Sequence, residues 1–207
     1  MTAFSSLNSL PDSQLDNLRE MGYTSMTPVQ AATLPAILDG RDVRAQAKTG
    51  SGKTAAFGIG LLQHIDSAHF QTQALILCPT RELADQVSNV LRQLARFTRN
   101  IKILTLCGGQ PMSAQRDSLV HAPHIVVGTP GRILDHIKRK TLKLESLRTL
   151  VLDEADRITG RSRSHAGNGL PRRYGNDYRC YASITSDAAV LRDLAGRHCR
   201  PEPALSA

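Results

Sequence analysis

The sequence predicts an α/β fold in which a parallel sheet carries helices on both faces. Between residues 41 and 157, short apolar runs of strand length alternate with longer segments of helical periodicity. One apolar run leads into a glycine-rich loop and a helix, and another ends directly on two carboxylates. Strands that alternate with helices of about 10 to 15 residues are joined by right-handed crossovers, and such connections produce a parallel sheet.

The composition favours an anionic partner and a setting away from membranes. The 207 residues carry a net charge of +8, half of it within the last fifty residues, which contain arginine but no lysine. Cys78 and Cys107 lie in apolar runs and are expected to be inert core thiols, and the spacing of the four cysteines matches no zinc site or compact disulfide framework. Because no signal segment and no run of about 20 apolar residues is present, we expect a reduced, cytoplasmic location without membrane contact.

Residues 1–40 are predicted to form a helical preface. The segment from Asp12 to Met21 has leucines at helical spacing and ends before Gly22. Thr27 followed by Pro28 is typical of a helix start, because threonine caps the first turn and proline suits the first helical position. A second helix is therefore expected to continue to Leu38.

The segment after this preface predicts a phosphate-binding loop. Val43, Ala45 and Ala47 alternate as in a strand, the loop from Gly50 to Thr54 follows, and an apolar helix runs from Ala55 to Ile65. A glycine loop at a helix N-terminus presents backbone N–H groups to an anion. Its lysine would reach the outer phosphates of a nucleoside triphosphate, and its threonine would bind Mg²⁺.

The remaining elements continue the alternation. The segment from Thr80 to Phe97 carries an apolar helical stripe, and shorter helices are expected at about Ser113 to Leu119 and Arg132 to Arg139. Strands are predicted at Ala74 to Cys78, Ile101 to Leu106, Ile125 to Val127 and Leu150 to Leu152.

Two carboxylates, Asp153 and Glu154, directly follow the last of these strands. Carboxyl ends of parallel strands share one edge of a sheet, so both should lie beside Lys53 and Thr54. Asp153 would hold Mg²⁺ through its water shell, and Glu154 would orient and deprotonate the water that attacks the γ-phosphate. An isolated acidic pair would more often solvate a strand end, but the upstream loop favours the catalytic interpretation.

Several short motifs follow one another along the chain. They are AKTGSGKT at Ala47 to Thr54, PTRELA at Pro79 to Ala84, Gly108-Gly109, TPGR at Thr129 to Arg132, and DEAD at Asp153 to Asp156. In this order they resemble the first RecA-like domain of a DEAD-box RNA helicase, and Phe4 with the run from Gly22 to Gln30 resembles the Q motif of that family. The resemblance implies a RecA-like P-loop NTPase domain over residues 41–157. The usual first glycine of the phosphate loop is Ala47 here.

The resemblance also implies ligands and residue roles. ATP with Mg²⁺ is the expected nucleotide, Gln30 would read the adenine edge, and Lys53, Asp153 and Glu154 would be catalytic. The implied nucleotide-binding residues are Phe4, Tyr23, Gln30, Ala47, Lys48, Thr49, Gly50, Ser51, Gly52, Lys53 and Thr54. Thr54 and Asp153 are the implied magnesium residues. No other metal and no oligomer is implied.

The implied RNA-binding residues are Pro79, Thr80, Arg81, Gly109, Thr129, Gly131 and Arg132. Arginine and backbone N–H groups at these positions would grip phosphate oxygens without reading sequence. Asp156 would join a network that couples two domains. Within the family, the amino-acid sequence resembles most a helicase of ribosome assembly, so the expected RNA is ribosomal.

The family pattern ends at Arg157, and residues 158–207 are expected to be a disordered tail. The family continues with a buried central strand and a Ser-Ala-Thr motif, whereas Ser183-Ile184-Thr185 has no apolar strand before it. When the codons of Thr185 to Ala195 are read one nucleotide out of register, they can encode RQTLLFSATWP. The tail is therefore interpreted as out-of-frame and the domain as incomplete at its C-terminal end; a genuine divergent C-terminus is the alternative.

Three functions follow from these observations. The favoured one is an ATP-dependent RNA helicase, of which this chain is a truncated form without unwinding activity, because a second RecA-like domain and its arginine finger are missing. The alternative is a non-enzymatic nucleotide-binding fragment or pseudogene product. A P-loop ATPase that acts on DNA is disfavoured by DEAD together with a Q motif.

Overall fold

Within the described part of the chain, the sheet has six strands in the order β1-β6-β5-β2-β4-β3. The computed structural model describes residues 2–48, 50–98, 100–154 and 181–185, the last five by their backbone alone. The strands are β1 Val43–Gln46, β2 Ala74–Leu77, β3 Ile103–Leu106, β4 Ile125–Gly128, β5 Thr149–Leu152 and β6 Tyr181–Thr185. β2 pairs in parallel with β4 and β5, and β3 pairs in parallel with β4, so the predicted parallel sheet is confirmed.

Strand β6 differs from the expected tail. It lies between β1 and β5 and is antiparallel to both, with Ile184 opposite Val43 on one side and Val151 on the other. The sequence predicts no strand at this central position, whereas residues 181–185 form one there. An antiparallel strand can satisfy the N–H and C=O groups of its neighbours as a parallel strand would. The predictions for 155–180 and 186–207 lie outside the described residues.

The helices follow the sequence prediction closely. They are α1 Asp12–Glu20, α2 Pro28–Leu38, α3 Lys53–Gln63, α4 Arg81–Leu94, α5 Met112–Val120 and α6 Pro130–Lys138, with short 3-10 turns at Phe4–Ser6 and Ala95–Phe97. The helix α3 starts two residues earlier than predicted, because Gly52 adopts the left-handed conformation and is the N-cap. Among the described residues, no helix is both long and apolar enough to cross a bilayer.

Alternate residues of the strands build two cores, one on each face of the sheet. Ile76, Val127 and Val151 belong to the core beneath α1 to α4. Their neighbours Leu75 and Val126, together with Leu150, belong to the opposite core, to which α5 contributes Leu119 and α6 contributes Ile133. Since strand residues project alternately to the two faces, continuous apolar strands are buried on both.

Helices α2 and α3 pack closely at Gly60. A Cβ atom on Gly60 would lie 2.1 Å from Ile37 Cγ2 and 3.0 Å from Ile37 Cβ. These atoms leave no room for a methyl group. The glycine therefore allows the helix that follows the predicted phosphate loop to pack directly on the helix that contains Gln30.

We expect Gly60→Ala to lower the free energy of unfolding by about 1 to 3 kcal/mol, because the overlap forces α2 and α3 apart. The measurement is the midpoint of denaturant unfolding. Gly131→Ala is the matched control, since a Cβ at that helical position meets nothing within 4 Å. Equal midpoints for the two variants would contradict this account of the α2 and α3 contact.

Candidate functional site

The predicted site residues lie at one edge of the sheet. β1, β2, β4 and β5 point in the same direction, since β1 and β5 are each antiparallel to β6 and β5 is parallel to β2. The loop after β1, Pro79 after β2, Thr129 after β4 and Asp153 after β5 therefore meet at the carboxyl edge. This arrangement places the predicted nucleotide and RNA motifs side by side.

The loop after β1 contains two glycines in a left-handed backbone conformation. Gly50 and Gly52 have φ values of +79° and +93°, a region that favours glycine. Lys53 Nζ donates hydrogen bonds to the carbonyl oxygens of Ala47 and Lys48, the second at 3.0 Å. The Lys53 ammonium thus lies across the loop and donates hydrogen bonds to two carbonyl oxygens. Phosphate oxygens could accept the same hydrogen bonds instead. Thr54 is half-buried in the first turn of α3, and Thr49 lies outside the described residues.

The hydroxyl of Ser51 gives independent support for an anion in this loop. Ser51 Oγ is shielded from solvent and has no hydrogen-bond partner within the part of the chain that the structure describes. Buried hydroxyl groups are nearly always hydrogen-bonded, so an unpaired one indicates an absent partner. A triphosphate fits this loop, because it offers acceptors to Ser51, to Lys53 and to the backbone N–H groups.

Gln30 joins helix α2 to the phosphate loop. Its Oε1 accepts from the Thr27 backbone N at 2.9 Å, and its Nε2 donates to the Gly52 carbonyl at 3.2 Å. Gln30 N also bonds to Thr27 Oγ1, which completes a capping box. A Cβ atom on Gly52 would lie 2.6 Å from Gln30 Nε2, so only glycine allows this approach.

The two aromatic residues of the Q motif are in contact. The rings of Phe4 and Tyr23 meet edge to face with centroids 6.3 Å apart. Phe4 is buried within the core beneath α1 to α4, and Tyr23 is half-buried at its border. Tyr23 is therefore the more accessible of the two to a ligand.

Asp153 is a buried carboxylate opposite Lys53. Only 3% of its surface is exposed, and its backbone N donates to the Leu77 carbonyl at 3.0 Å. Burial, and to a smaller extent the charge of Glu154, raise the pKa of Asp153 to about 6 against the lowering effect of the Lys53 ammonium. The effect of Lys53 on this pKa shows that the two side chains share one electrostatic environment.

Glu154 and Cys78 complete the surroundings of this carboxylate. Glu154 has a φ of +51°, which is rare outside glycine and often marks a functional turn. The Cys78 thiol at the end of β2 has a pKa raised by burial and by the charge of Asp153, so it remains neutral. Both Cys78 and Cys107 are buried free thiols with raised pKa values, as predicted for core cysteines.

The predicted RNA motifs converge on the loop from Gly108 to Gln110. Arg81 Nη1 donates to the Gly108 carbonyl at 3.2 Å. A Cβ atom on Gly109 would lie 2.1 Å from Arg81 Nη1, so the guanidinium crosses the position that a side chain would fill. Thr80, which follows Pro79, caps α4 by accepting from Leu83 N at 3.3 Å.

Arg132 lies on the other side of the same loop. Its Nη1 donates to the Gln110 carbonyl at 3.0 Å and to Gln115 Oε1 at 2.7 Å. Thr129 is the N-cap of α6, and Gly131 is exposed in the first turn of that helix. Both arginines are therefore anchored on carbonyls only two residues apart, which brings together the residues that the sequence analysis assigned to RNA.

Two residues at this site were not predicted from the sequence, and two predicted residues, Thr49 and Asp156, cannot be placed. Gln115 and His136 are buried behind Arg132 and are joined by a hydrogen bond of 3.0 Å. A single polar residue within a helix is common, so neither position carries a sequence signal. Asp156 lies outside the described residues.

A scan of family models matches residues 27–176 to the DEAD/DEAH box helicase family. The chain is 72% identical over 158 residues to the ATP-dependent RNA helicase DbpA of Escherichia coli K12, an alignment that covers 76% of this chain and 35% of that protein. It is 49% identical over 158 residues to the DEAD-box ATP-dependent RNA helicase CshA of Bacillus cereus, with 76% and 30% covered. The chain thus spans about a third of the length of these relatives.

Solved structures show the same architecture. A DEAD box protein from Methanococcus jannaschii matches with a TM-score of 0.70 and 42% identity, covering 76% of this chain and 43% of that one. Dbp5 of Saccharomyces cerevisiae, bound to RNA and ADP BeF3, matches with a TM-score of 0.70 and 30% identity, covering 79% and 41%. The RecA-like α/β fold predicted from the sequence is confirmed, and the chain belongs to the DEAD/DEAH box helicase family.

Proposed function

We propose that this chain binds ATP and RNA side by side and supplies the ATP-hydrolysing half of an RNA helicase. The observation that carries the proposal is the meeting of the Lys53 loop and buried Asp153 at the sheet edge that also presents Arg81 and Arg132. The similarity to relatives named ATP-dependent RNA helicases supports the same activity. The proposal also includes a ribosomal RNA target, which the family resemblance implies, and a cytoplasmic location, which the composition favours.

In this proposal the phosphate loop exchanges its internal bonds for bonds to the nucleotide. Lys53 leaves the Ala47 and Lys48 carbonyls and donates to the outer phosphates, and Ser51 gains the partner that its hydroxyl lacks. Gln30 retains a second N–H and a second lone pair for the adenine edge, because its amide uses one donor and one acceptor internally. That combination distinguishes adenine from guanine.

The acidic residues after β5 have separate roles. Thr54 and Asp153 would hold Mg²⁺, whose charge stabilises the negative charge that develops on the phosphates during transfer. Glu154 accepts a proton from the attacking water, and its left-handed backbone turns the chain immediately after Asp153. Burial disfavours the ionised form of Asp153, whereas a nearby cation favours it. The carboxylate would therefore be stabilised by a Mg²⁺ ion bound beside it.

The RNA backbone would lie over the loop from Gly108 to Gln110. Arg81 and Arg132 donate to its phosphates, and Gly109, Thr129 and Gly131 permit close approach. Contacts of this kind hold an RNA strand without reading its sequence. Asp156 is proposed to transmit this binding to a partner domain.

Lys53→Met tests nucleotide binding. Saturation of the unaltered chain with Mg-ATP at about a hundred times Kd should raise the melting temperature by roughly 5 to 10 °C, and Lys53→Met should abolish the shift. Lys143→Met is the matched control, because Lys143 is exposed and precedes β5 at the other edge. RNA-stimulated phosphate release by the unaltered chain would establish the enzyme, whereas binding without turnover would support the non-enzymatic alternative.

Arg81→Met tests the RNA surface. Loss of one phosphate contact should weaken single-stranded RNA binding and reduce the slope of log K against log salt by about 0.7, without a change in ATP binding. Arg96→Met, an exposed arginine after α4, should leave both quantities unchanged. A DNA strand of equal sequence that competed as well as RNA would instead favour an ATPase that acts on DNA.

Asp153→Asn should stabilise the chain while it removes hydrolysis. The folded-state pKa of about 6 exceeds the ordinary value of 3.8, so Asp153 favours folding most below pH 4 and this contribution is lost as the pH rises through 6. The variant should gain about 1 to 3 kcal/mol over the unaltered chain at pH 8, and less at pH 5. Urea unfolding at both pH values measures the gain.

The exposed Asp117 supplies the control for this comparison, since its pair with Arg116 spans 3.8 Å and contributes little. Asp117→Asn should show no such pH-dependent gain. If Asp153→Asn were less stable than the unaltered chain at pH 8, the ionised carboxylate could not be what lowers the free energy of unfolding at that pH.

A further inference from the structure

Gln115 occupies a buried position between the two predicted RNA loops. It lies on α5, only 5% of its surface is exposed, and its side chain makes three hydrogen bonds. Its Oε1 accepts from Arg132 Nη1 at 2.7 Å and is 3.0 Å from His136 Nε2, while its Nε2 donates to the Cys107 carbonyl at 2.9 Å. One amide thus connects the arginine of α6 to the chain just before Gly108.

The bonds around Gln115 determine which groups donate. Because the amide nitrogen donates to the Cys107 carbonyl, Oε1 faces α6 and can only accept. His136 must therefore carry a proton on Nε2, and its Nδ1 lies 2.8 Å from Thr141 Oγ1, whose hydroxyl also donates to the His136 carbonyl at 3.1 Å. Only one orientation of the Gln115 amide lets each donor of Gln115 and His136 meet an acceptor. The hydrogen bonds therefore favour that orientation.

The charge of this network is concentrated on Arg132. Burial lowers the pKa of His136, and Arg132 and Arg139 lower it further against the opposing effect of Asp135. On the α5 side the imidazole meets the uncharged amide of Gln115. Arg132 is the permanent cation that the Gln115 oxygen binds, and hydrogen bonds to charged groups are stronger than those between neutral groups.

The Arg132 guanidinium is held through one of its own nitrogens, which donates two hydrogen bonds. Nη1 donates to the Gln110 carbonyl and to Gln115 Oε1. An arginine side chain has several rotatable bonds, so it loses conformational entropy when a phosphate immobilises it. A guanidinium that is already fixed in the free protein avoids part of this cost, which increases affinity.

We propose that Gln115 is a positioning residue that holds the Arg132 guanidinium in the orientation that contacts an RNA phosphate. Gln115 is itself oriented by His136 and by the Cys107 carbonyl. The inference rests on the proposed function, which assigns Arg132 to the RNA backbone. It adds a residue that does not touch RNA and acts through one that does.

A double-mutant cycle on the full chain tests the inference with a single-stranded oligoribonucleotide as the probe. Gln115→Met keeps the length of the side chain and removes both polar atoms, and we expect it to weaken RNA binding about threefold to tenfold. In the Arg132→Met background the same change should have no further effect, because its action passes through Arg132. Gln93→Met, at an exposed position of α4, is the matched control.

Two further measurements separate positioning from general destabilisation. ATP binding should be the same in Gln115→Met and the unaltered chain, whereas a loosened domain would lose it. Nitrogen-15 relaxation of the Arg132 side chain should show an ordered guanidinium in the unaltered chain and a mobile one in Gln115→Met. If that variant does not fold, the unaltered chain still decides, since a mobile Arg132 side chain there would overturn the inference.

The outcomes distinguish the two proposals. If Arg132→Met weakens RNA binding but Gln115→Met does not, or if Gln115→Met acts equally in both backgrounds, positioning is overturned and the proposed function stands. If Arg132→Met leaves RNA binding unchanged, the assignment of Arg132 to RNA is wrong and the inference falls with it. Weakening by Gln115→Met only where Arg132 is present supports both.

Discussion

The electrostatic attraction between the Lys53 ammonium and the buried Asp153 carboxylate is the interaction on which the site depends. Asp153 is almost without solvent and lies beside Glu154, so its ionised form is disfavoured and its pKa rises to about 6 although Lys53 acts against this change. A cation bound here would relieve the unfavourable charge. The fold therefore holds a carboxylate whose ionised form is disfavoured, and binding of a magnesium nucleotide would stabilise that form.

The phosphate loop is coupled to the preceding helix through a single amide. Gln30 closes the capping box of α2 and also donates to the Gly52 carbonyl, which lies at the N-terminus of α3. The close packing of α2 on α3 at Gly60 keeps these two groups in register. A ligand that reorients either the Gln30 amide or the loop must therefore affect the other.

The side of the edge that is proposed to bind RNA is organised by a few backbone carbonyls. Arg81 and Arg132 use the carbonyls of Gly108 and Gln110, and Gln115 uses that of Cys107. One short stretch of chain thus orients two cations that come from different helices. Since Arg81 follows β2 and Asp153 follows the adjacent β5, RNA and nucleotide would be bound by neighbouring strand ends.

The sequence alone determined the α/β class, the element bounds to within about two residues, and the sheet edge at which Lys53 and Asp153 meet, because periodicity, caps and glycines are local signals. Tertiary structure decided the rest. The antiparallel placement of β6 depends on the open ladders of β1 and β5, and the network of Gln115, His136 and Arg132 depends on packing between α5 and α6. The raised pKa of Asp153 likewise arises from burial, and burial is a property of the folded chain rather than of any local pattern.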